Sequence, residues 1–280
     1  MKAIILNLCA WIVLPFMDAI AKYLSSDLSF FQITWARYFF TVFWTLPLMF
    51  LFFRRNLIFS KNPKLQILRG ITLFSANICF FYAISVISLS KALTLAFIAP
   101  LVTTALSPIV LGEKVGIRRW SAVLIGFSGT LVVIRPGFIE FNLATISALC
   151  TGVLYGLYLI ITRKLHSTDN PLLTLLLTGI VGATVSSFLV PIVWVNPTSI
   201  QWLWLSIMGI FACLGHILLI YSLKYADASK LAPFGYFEII TNIILGYYVF
   251  KDFPDPWTFL GLFVIISSGI YIFRRELRYK

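Results

Sequence analysis

Runs of apolar residues nearly free of charge recur along the whole 280-residue chain. No other feature constrains its folding as much, because a run of roughly 20 such residues coiled into a helix matches the hydrocarbon thickness of a bilayer. Ten spans can be delimited, at approximately 3–22, 31–53, 66–87, 91–111, 119–135, 143–163, 172–194, 202–223, 230–250 and 257–274. The chain is 60% apolar and 11% charged, whereas soluble domains lie nearer 45–50% and about 25%. The expected fold class is all-α and integral to the membrane, with ten transmembrane helices and almost nothing outside the lipid bilayer.

The first span has the outline of a secretory leader, since Lys2 precedes an apolar stretch ending in Ala19, Ile20 and Ala21. Asp18 and Pro15 interrupt it and it has a counterpart later in the chain, so it is expected to be retained as a helix. Cys9, Cys79, Cys150 and Cys213 lie inside apolar runs with no CxxC or Cys/His cluster, which offers neither a metal site nor a disulfide framework. No cofactor is indicated. The net charge of +12 is carried by loop Lys and Arg residues that set membrane orientation, so nucleic acid is not an expected partner.

Comparing the chain with itself reveals an internal repeat. Cys9 to Lys22 aligns with Cys150 to Arg163 at an offset of 141, and Tyr82 and Lys91 align with Tyr221 and Lys230 at an offset of 139. Glu113 then falls on Asp252, while Trp120, Ser128 and Gly129 answer Trp257, Ser268 and Gly269. Two five-helix repeats are expected, 1–137 and 143–280. With the N-terminus inside, alternate loops carry seventeen Lys and Arg residues on one side, Arg69 among them, and five (Lys22, Arg37, Lys91, Arg135 and Lys251) on the other. The excess places both termini in the cytoplasm. An odd number of helices per repeat inverts the second relative to the first. Inverted repeats are a transporter architecture, with a site near the midplane and alternating access as the expected motion.

Ionisable residues at membrane depth are costly and usually face a bundle interior or cavity. Glu238, eight residues into the ninth span, heads a polar stripe through Thr241 and Asn242, and suits a cationic group or a proton. Structural hydrogen bonding between helices is the alternative. Asp18 with Lys22 one turn on, and Arg37 in the second span, form either a neutralising set or an outer gate in which Arg37 clamps a carboxylate. Lys91 and Lys230 open the fourth and ninth spans, where a cation opposes the helix dipole unless it snorkels to solvent or meets an anion. His216, mid-way along the eighth span, suits proton coupling, although a lone His is more often a packing or hydrogen-bonding residue.

Trp44, Trp194, Trp202, Trp204 and Trp257 sit near span ends, as interfacial belts require. Trp11, Tyr82, Tyr155, Tyr158, Tyr221 and Tyr236 lie deeper, where they either pack or form with Glu238 a box for an organic cation. Pro100 and Pro108 interrupt the fourth span, and Pro233 enters the first turn of the ninth.

The stretch from Lys91 to Pro100 leading to Leu111, Gly112 and Glu113 is matched by Lys230 to Phe234 leading to Phe250, Lys251 and Asp252. In this the chain resembles the EamA family of the drug/metabolite transporter superfamily over essentially its whole length. Ala232 to Glu238, through Phe253, Pro254 and Asp255, looks closest to a branch that takes up S-adenosylmethionine, although that branch typically has Arg where this chain has Gly235. The resemblance implies ten helices and a small polar metabolite moved by import, export or exchange in a bacterial cytoplasmic (inner) membrane.

The expected function is secondary active transport of an amine-containing, cationic or zwitterionic metabolite, with a coupling proton or counter-substrate as second partner. A proton-coupled multidrug or amino-acid exporter is the alternative, and a channel or sensor a further one. No HExxH, GxSxG or paired aspartates support an intramembrane enzyme, and no GxxxxGK[ST] supports ATP-driven transport. A homodimer through lipid-facing surfaces is left open.

Overall fold

Inside a bilayer, backbone N–H and C=O groups find partners only within the chain, which leaves helices as the solution for apolar runs of this length. In the computed structural model, residues 1–53, 59–134 and 142–251 are described, with 256, 257, 259–261, 263, 264, 267 and 271 beyond them. Every regular element among these residues is helical: α1 (Lys2–Leu24), α2 (Phe30–Phe53), α3 (Pro63–Val86), α4 (Leu89–Ala96), α5 (Ala99–Leu106), α6 (Ile117–Ile134), α7 (Leu143–Lys164), α8 (Pro171–Leu189), α9 (Ser199–Tyr225), α10 (Ala228–Leu231) and α11 (Glu238–Phe250). Six helical stretches among them are long and apolar enough to cross a membrane. The first nine expected spans each coincide with one of these elements or with consecutive ones. The tenth is described only in part, and Asp252 to Asp255, Ser268 and Gly269 lie outside the described residues.

Local chemistry sets several helix starts. Pro63 and Pro171 occupy first-turn positions, where the missing N–H costs nothing. Asn142 and Asn170 cap α7 and α8, and Thr198 forms a reciprocal capping box with Gln201 at the start of α9. Large apolar side chains such as Phe50, Leu51, Phe188 and Ile192 point outward, as a lipid-facing surface requires.

Two elements depart from continuous helix, in the same way. α4 and α5 are separated at Phe97 and Ile98, followed by a π-helical turn over Ser107–Leu111. α10 is followed by a 3-10 segment over Ala232–Phe237 before α11 begins. Both paths end in a left-handed residue, Gly112 at φ 68° and Lys251 at φ 59°. The starts Leu89 and Ala228, the restarts Ala99 and Glu238, and the left-handed ends Gly112 and Lys251 are each 139 residues apart. Glu238 is therefore the first residue of a new helix and not, as the sequence suggests, a point within a continuous one.

The elements pack across the two halves. α1 lies along α9 and α3 along α7, while α2 packs on α8 and α9. The broken helices join this interface crosswise, α4 and α5 against α7, and α11 against α1. Close approach depends on small residues: a Cβ on Gly152 of α7 would stand 2.4 Å from the Ala96 carbonyl oxygen, at the break between α4 and α5.

Candidate functional site

The helix breaks face a central cavity, whose empty space together with its opening to the surroundings is about 890 Å³. Asn7, Trp11 and Asp18 enter it from α1, Arg37 from α2, Asn77 from α3, Tyr155 from α7, His216 from α9 and Glu238 from the first turn of α11. Most of the remaining wall is apolar, including Phe80, Leu93, Phe97, Pro100 and Leu219.

Asp18 is 5% exposed, and neither its carboxyl group nor that of Glu238 has a hydrogen-bond partner among the described residues. Arg37 is 2% exposed. Its Nη2 donates to His216 Nε2 at 2.7 Å and its Nε points at Met17 Sδ at 3.0 Å, while Nη1 has no hydrogen-bond partner among the described residues. Because a guanidinium only donates, His216 Nε2 must be an acceptor, which makes the imidazole neutral with its proton on Nδ1. That N–H donates to the Tyr158 hydroxyl oxygen at 3.0 Å. The same oxygen accepts from Arg69 Nη2 at 2.7 Å.

Arg69 completes this buried chain. Its Nε donates to Thr162 Oγ1 at 2.7 Å, and its Nη1 to the Thr174 carbonyl at 3.2 Å and to the Thr178 hydroxyl. Its guanidinium lies 4.5 Å from the centre of the Tyr158 ring. The sequence counted Arg69 among loop cations, but it is fully buried in α3 because neutral oxygens of α7 and α8 satisfy its donors. Its neighbours in sequence gave no sign of those partners.

One cavity wall is polar and aromatic. Trp11 Nε1 donates to Asn7 Oδ1 at 2.8 Å, Asn7 Nδ2 donates to Ser222 Oγ at 3.2 Å, and the Trp11 and Tyr155 ring centres are 6.1 Å apart. Trp11, Tyr155, His216, Asp18, Arg37 and Glu238 thus line one cavity, whereas the sequence set Asp18 and Arg37 apart from Glu238 as a neutralising set or an outer gate. Tyr158 stands behind His216, outside the cavity lining.

Other sequence candidates do not line the cavity. The Tyr236 hydroxyl donates to the Val123 carbonyl at 3.2 Å and its ring packs against Gly126 of α6. Asn242 donates to the Glu238 carbonyl at 3.0 Å. Tyr82 meets Phe30, and Tyr221 stacks on Tyr225. Lys22 donates to the carbonyls of Ile84 and Ile87, tying the end of α1 to the end of α3. Lys91 is exposed, and Lys230 is half-buried at the end of α10.

One end of the bundle carries a polar cluster that spacing alone did not reveal. The Glu113 carboxylate accepts from the backbone N–H of Ala228 at 3.0 Å, from the N–H and hydroxyl of Ser229 at 3.0 and 2.7 Å, and from Arg163 Nε at 3.3 Å. Arg163 also donates to the Leu223 carbonyl and to Asp227 Oδ1, both at 2.8 Å. Burial would raise the Glu113 carboxyl, but the Ser229 and Ala228 hydrogen bonds, helped by Arg163, outweigh it and hold it below the usual carboxylate range.

A family model described as the EamA-like transporter family matches residues 1–135 and again 142–274. The S-adenosylmethionine uptake transporter of Rickettsia prowazekii (strain Madrid E) is 27% identical over 97% of this chain and 94% of its own. The riboflavin transporter of Vibrio cholerae serotype O1 is 28% identical over 67% of this chain and 63% of its own. A solved crystal structure shares the fold, with a TM-score of 0.79 at 18% sequence identity over 95% of this chain and 94% of that one.

Proposed function

From the premise that this chain belongs to the EamA-like transporter family, we propose that it is a secondary active carrier of an amine-bearing metabolite, cationic or zwitterionic, of the S-adenosylmethionine type. That it is an integral membrane transporter of a small metabolite, and not an enzyme, follows from the family and its relatives. The narrower reading rests on one observation: Asp18 and Glu238, from opposite halves of the chain, present to one cavity carboxyl groups that have no donors among the described residues. Trp11 and Tyr155 beside them offer aromatic faces to an ammonium or sulfonium group.

Transport proceeds by alternating access between two inverted repeats, 1–137 and 143–280. The two separate family matches and the features recurring at an offset of 139 support this reading. Both termini face the cytoplasm of a bacterial inner membrane, on the count of seventeen against five basic residues. The Glu113 cluster then closes the cytoplasmic end and must separate when the cavity opens inward. Return of the carrier is driven by a proton or by a counter-substrate held at the same carboxyl groups.

The test is a thermal-shift panel on the purified protein with S-adenosylmethionine, lysine, riboflavin and small organic anions, followed by uptake into proteoliposomes of whichever compound stabilises it. A ligand that binds only the folded state raises the melting temperature in a dose-dependent way. Stabilisation by the cationic compounds, lost in Glu238→Gln, supports the reading, and stabilisation by anions alone overturns it.

A further inference from the structure

The central cavity also holds a cationic group whose hydrogen-bonding capacity is incompletely used. Arg37 is almost wholly buried, and two of its three nitrogens are engaged, Nε by Met17 and Nη2 by His216. Nη1 is buried with no hydrogen-bond partner among the described residues, while the guanidinium lies 4.7 Å from the centre of the Tyr38 ring. The nearby cavity carboxyl group, Asp18, does not take that place, because no described residue donates to it. Among the described residues, an Arg37 nitrogen without a hydrogen-bond partner and two carboxyl groups without donors thus belong to side chains that line one cavity.

We propose that Arg37 reads the carboxylate of the transported compound, so that the carrier selects molecules with two cationic groups and one carboxylate over their decarboxylated counterparts. This rests on the reading above that the cavity is the transport site. The charges match one to one. Asp18 and Glu238 face an ammonium and a second cation, such as a sulfonium or a side-chain ammonium, and Arg37 faces the carboxylate. A guanidinium suits this task because its planar fork points donors along fixed directions.

The chain behind Arg37 keeps it in position. His216 is locked as an acceptor toward Arg37 because Tyr158 accepts its other N–H, and Tyr158 is held in turn by Arg69. Rotation of Arg37 away from the cavity would leave His216 Nε2 without its donor, a cost that favours the observed orientation. His216 is therefore a positioning residue, and its variants should affect discrimination between ligands through Arg37.

The experiment is equilibrium binding to the purified full-length protein with two matched pairs, S-adenosylmethionine against its decarboxylated analogue and lysine against cadaverine. The wild-type protein should bind the carboxylate-bearing member at least tenfold more tightly. Arg37→Gln should abolish the preference for that member over the decarboxylated one. Arg37→Lys should restore part of the preference, and His216→Phe should reduce it without abolishing binding of the decarboxylated member. Equal binding of both members by the wild type overturns the proposal and leaves the transport reading intact, as does a preference that survives Arg37→Gln. Failure of every member of both pairs to bind overturns the reading of the cavity as a site for amine-bearing compounds and this proposal together. Should Arg37→Gln not fold, the wild-type preference and the His216→Phe measurement still decide.

Discussion

Glu113 and Ser229 are bound twice over: one carboxylate oxygen of Glu113 accepts both the backbone N–H and the hydroxyl of Ser229, at 3.0 and 2.7 Å. The residues are 116 positions apart, so a loop in the first half of the chain caps α10 in the second. Glu113→Ala removes these bonds and exposes two N–H groups of α10. Charged hydrogen bonds of this kind contribute about 1.5–3 kcal/mol each, and partial rehydration reduces the net loss to about 2 kcal/mol. A lower melting temperature in the ligand-free protein checks this.

The same carboxylate gives that end a pH dependence. Its folded pKa is depressed, so its contribution is fully present above the ordinary carboxylate pKa. It is lost as pH falls through the lower folded value. Melting temperature followed from neutral pH down into the acid range should decline on this account, and Glu113→Gln should flatten that part of the curve. An unchanged acid limb in the variant would remove Glu113 from the explanation.

Tyr158→Phe deletes the oxygen that accepts from both His216 and Arg69. Two buried donors are left unsatisfied, at about 1–3 kcal/mol each. The expected outcome is a clear loss of thermal stability, exceeding that of Tyr82→Phe, whose ring touches Phe30 near a helix end. Parallel melting curves of the two variants check the order.

Gly152→Val places a side chain where the two nearest atoms are the Ile98 Cγ2 and the Ala96 backbone oxygen, and the latter cannot rotate away. Overpacking of this sort costs about 1–3 kcal/mol. Because the clash lies at the break between α4 and α5, transport should fall as well as stability. Wild-type uptake rates in proteoliposomes of Gly152→Val would contradict this.

Glu238→Gln keeps the shape of the cavity and removes one carboxylate. Binding of cationic ligands should weaken by about tenfold or more, as expected for about 1.4 kcal/mol of lost charge interaction, while melting temperature without ligand should change little. Titration calorimetry with S-adenosylmethionine on both proteins measures the difference.

How much the sequence disclosed differs from residue to residue. Apolar run length alone located nine helical stretches, since a bilayer admits one answer for such a run. Asp18, Arg37, His216 and Glu238 were visible as candidates because charge at membrane depth is costly and stands out against its surroundings. Tyr82, Tyr221 and Tyr236 were equally conspicuous yet line no part of the cavity, because an aromatic ring is as well satisfied by packing as by a ligand. Arg69 near a span end read as a loop cation, and only α7 and α8 supply the oxygens that bury it.

Composition and periodicity therefore determined that this chain is a helical membrane protein with an internal repeat pattern, because those properties depend on neighbours within one helix. The sequence also supplied the ionisable residues themselves. Which of them meet was decided by tertiary structure alone: Arg37 with His216, Glu113 with Ser229, and Asp18 and Glu238 on one cavity. The two hydrogen-bonded pairs among these lie 179 and 116 residues apart. No local pattern encodes such a distance; helix packing sets it, through the small residues that let α1, α7 and α9 approach and the breaks that turn α5 and α11 toward the centre.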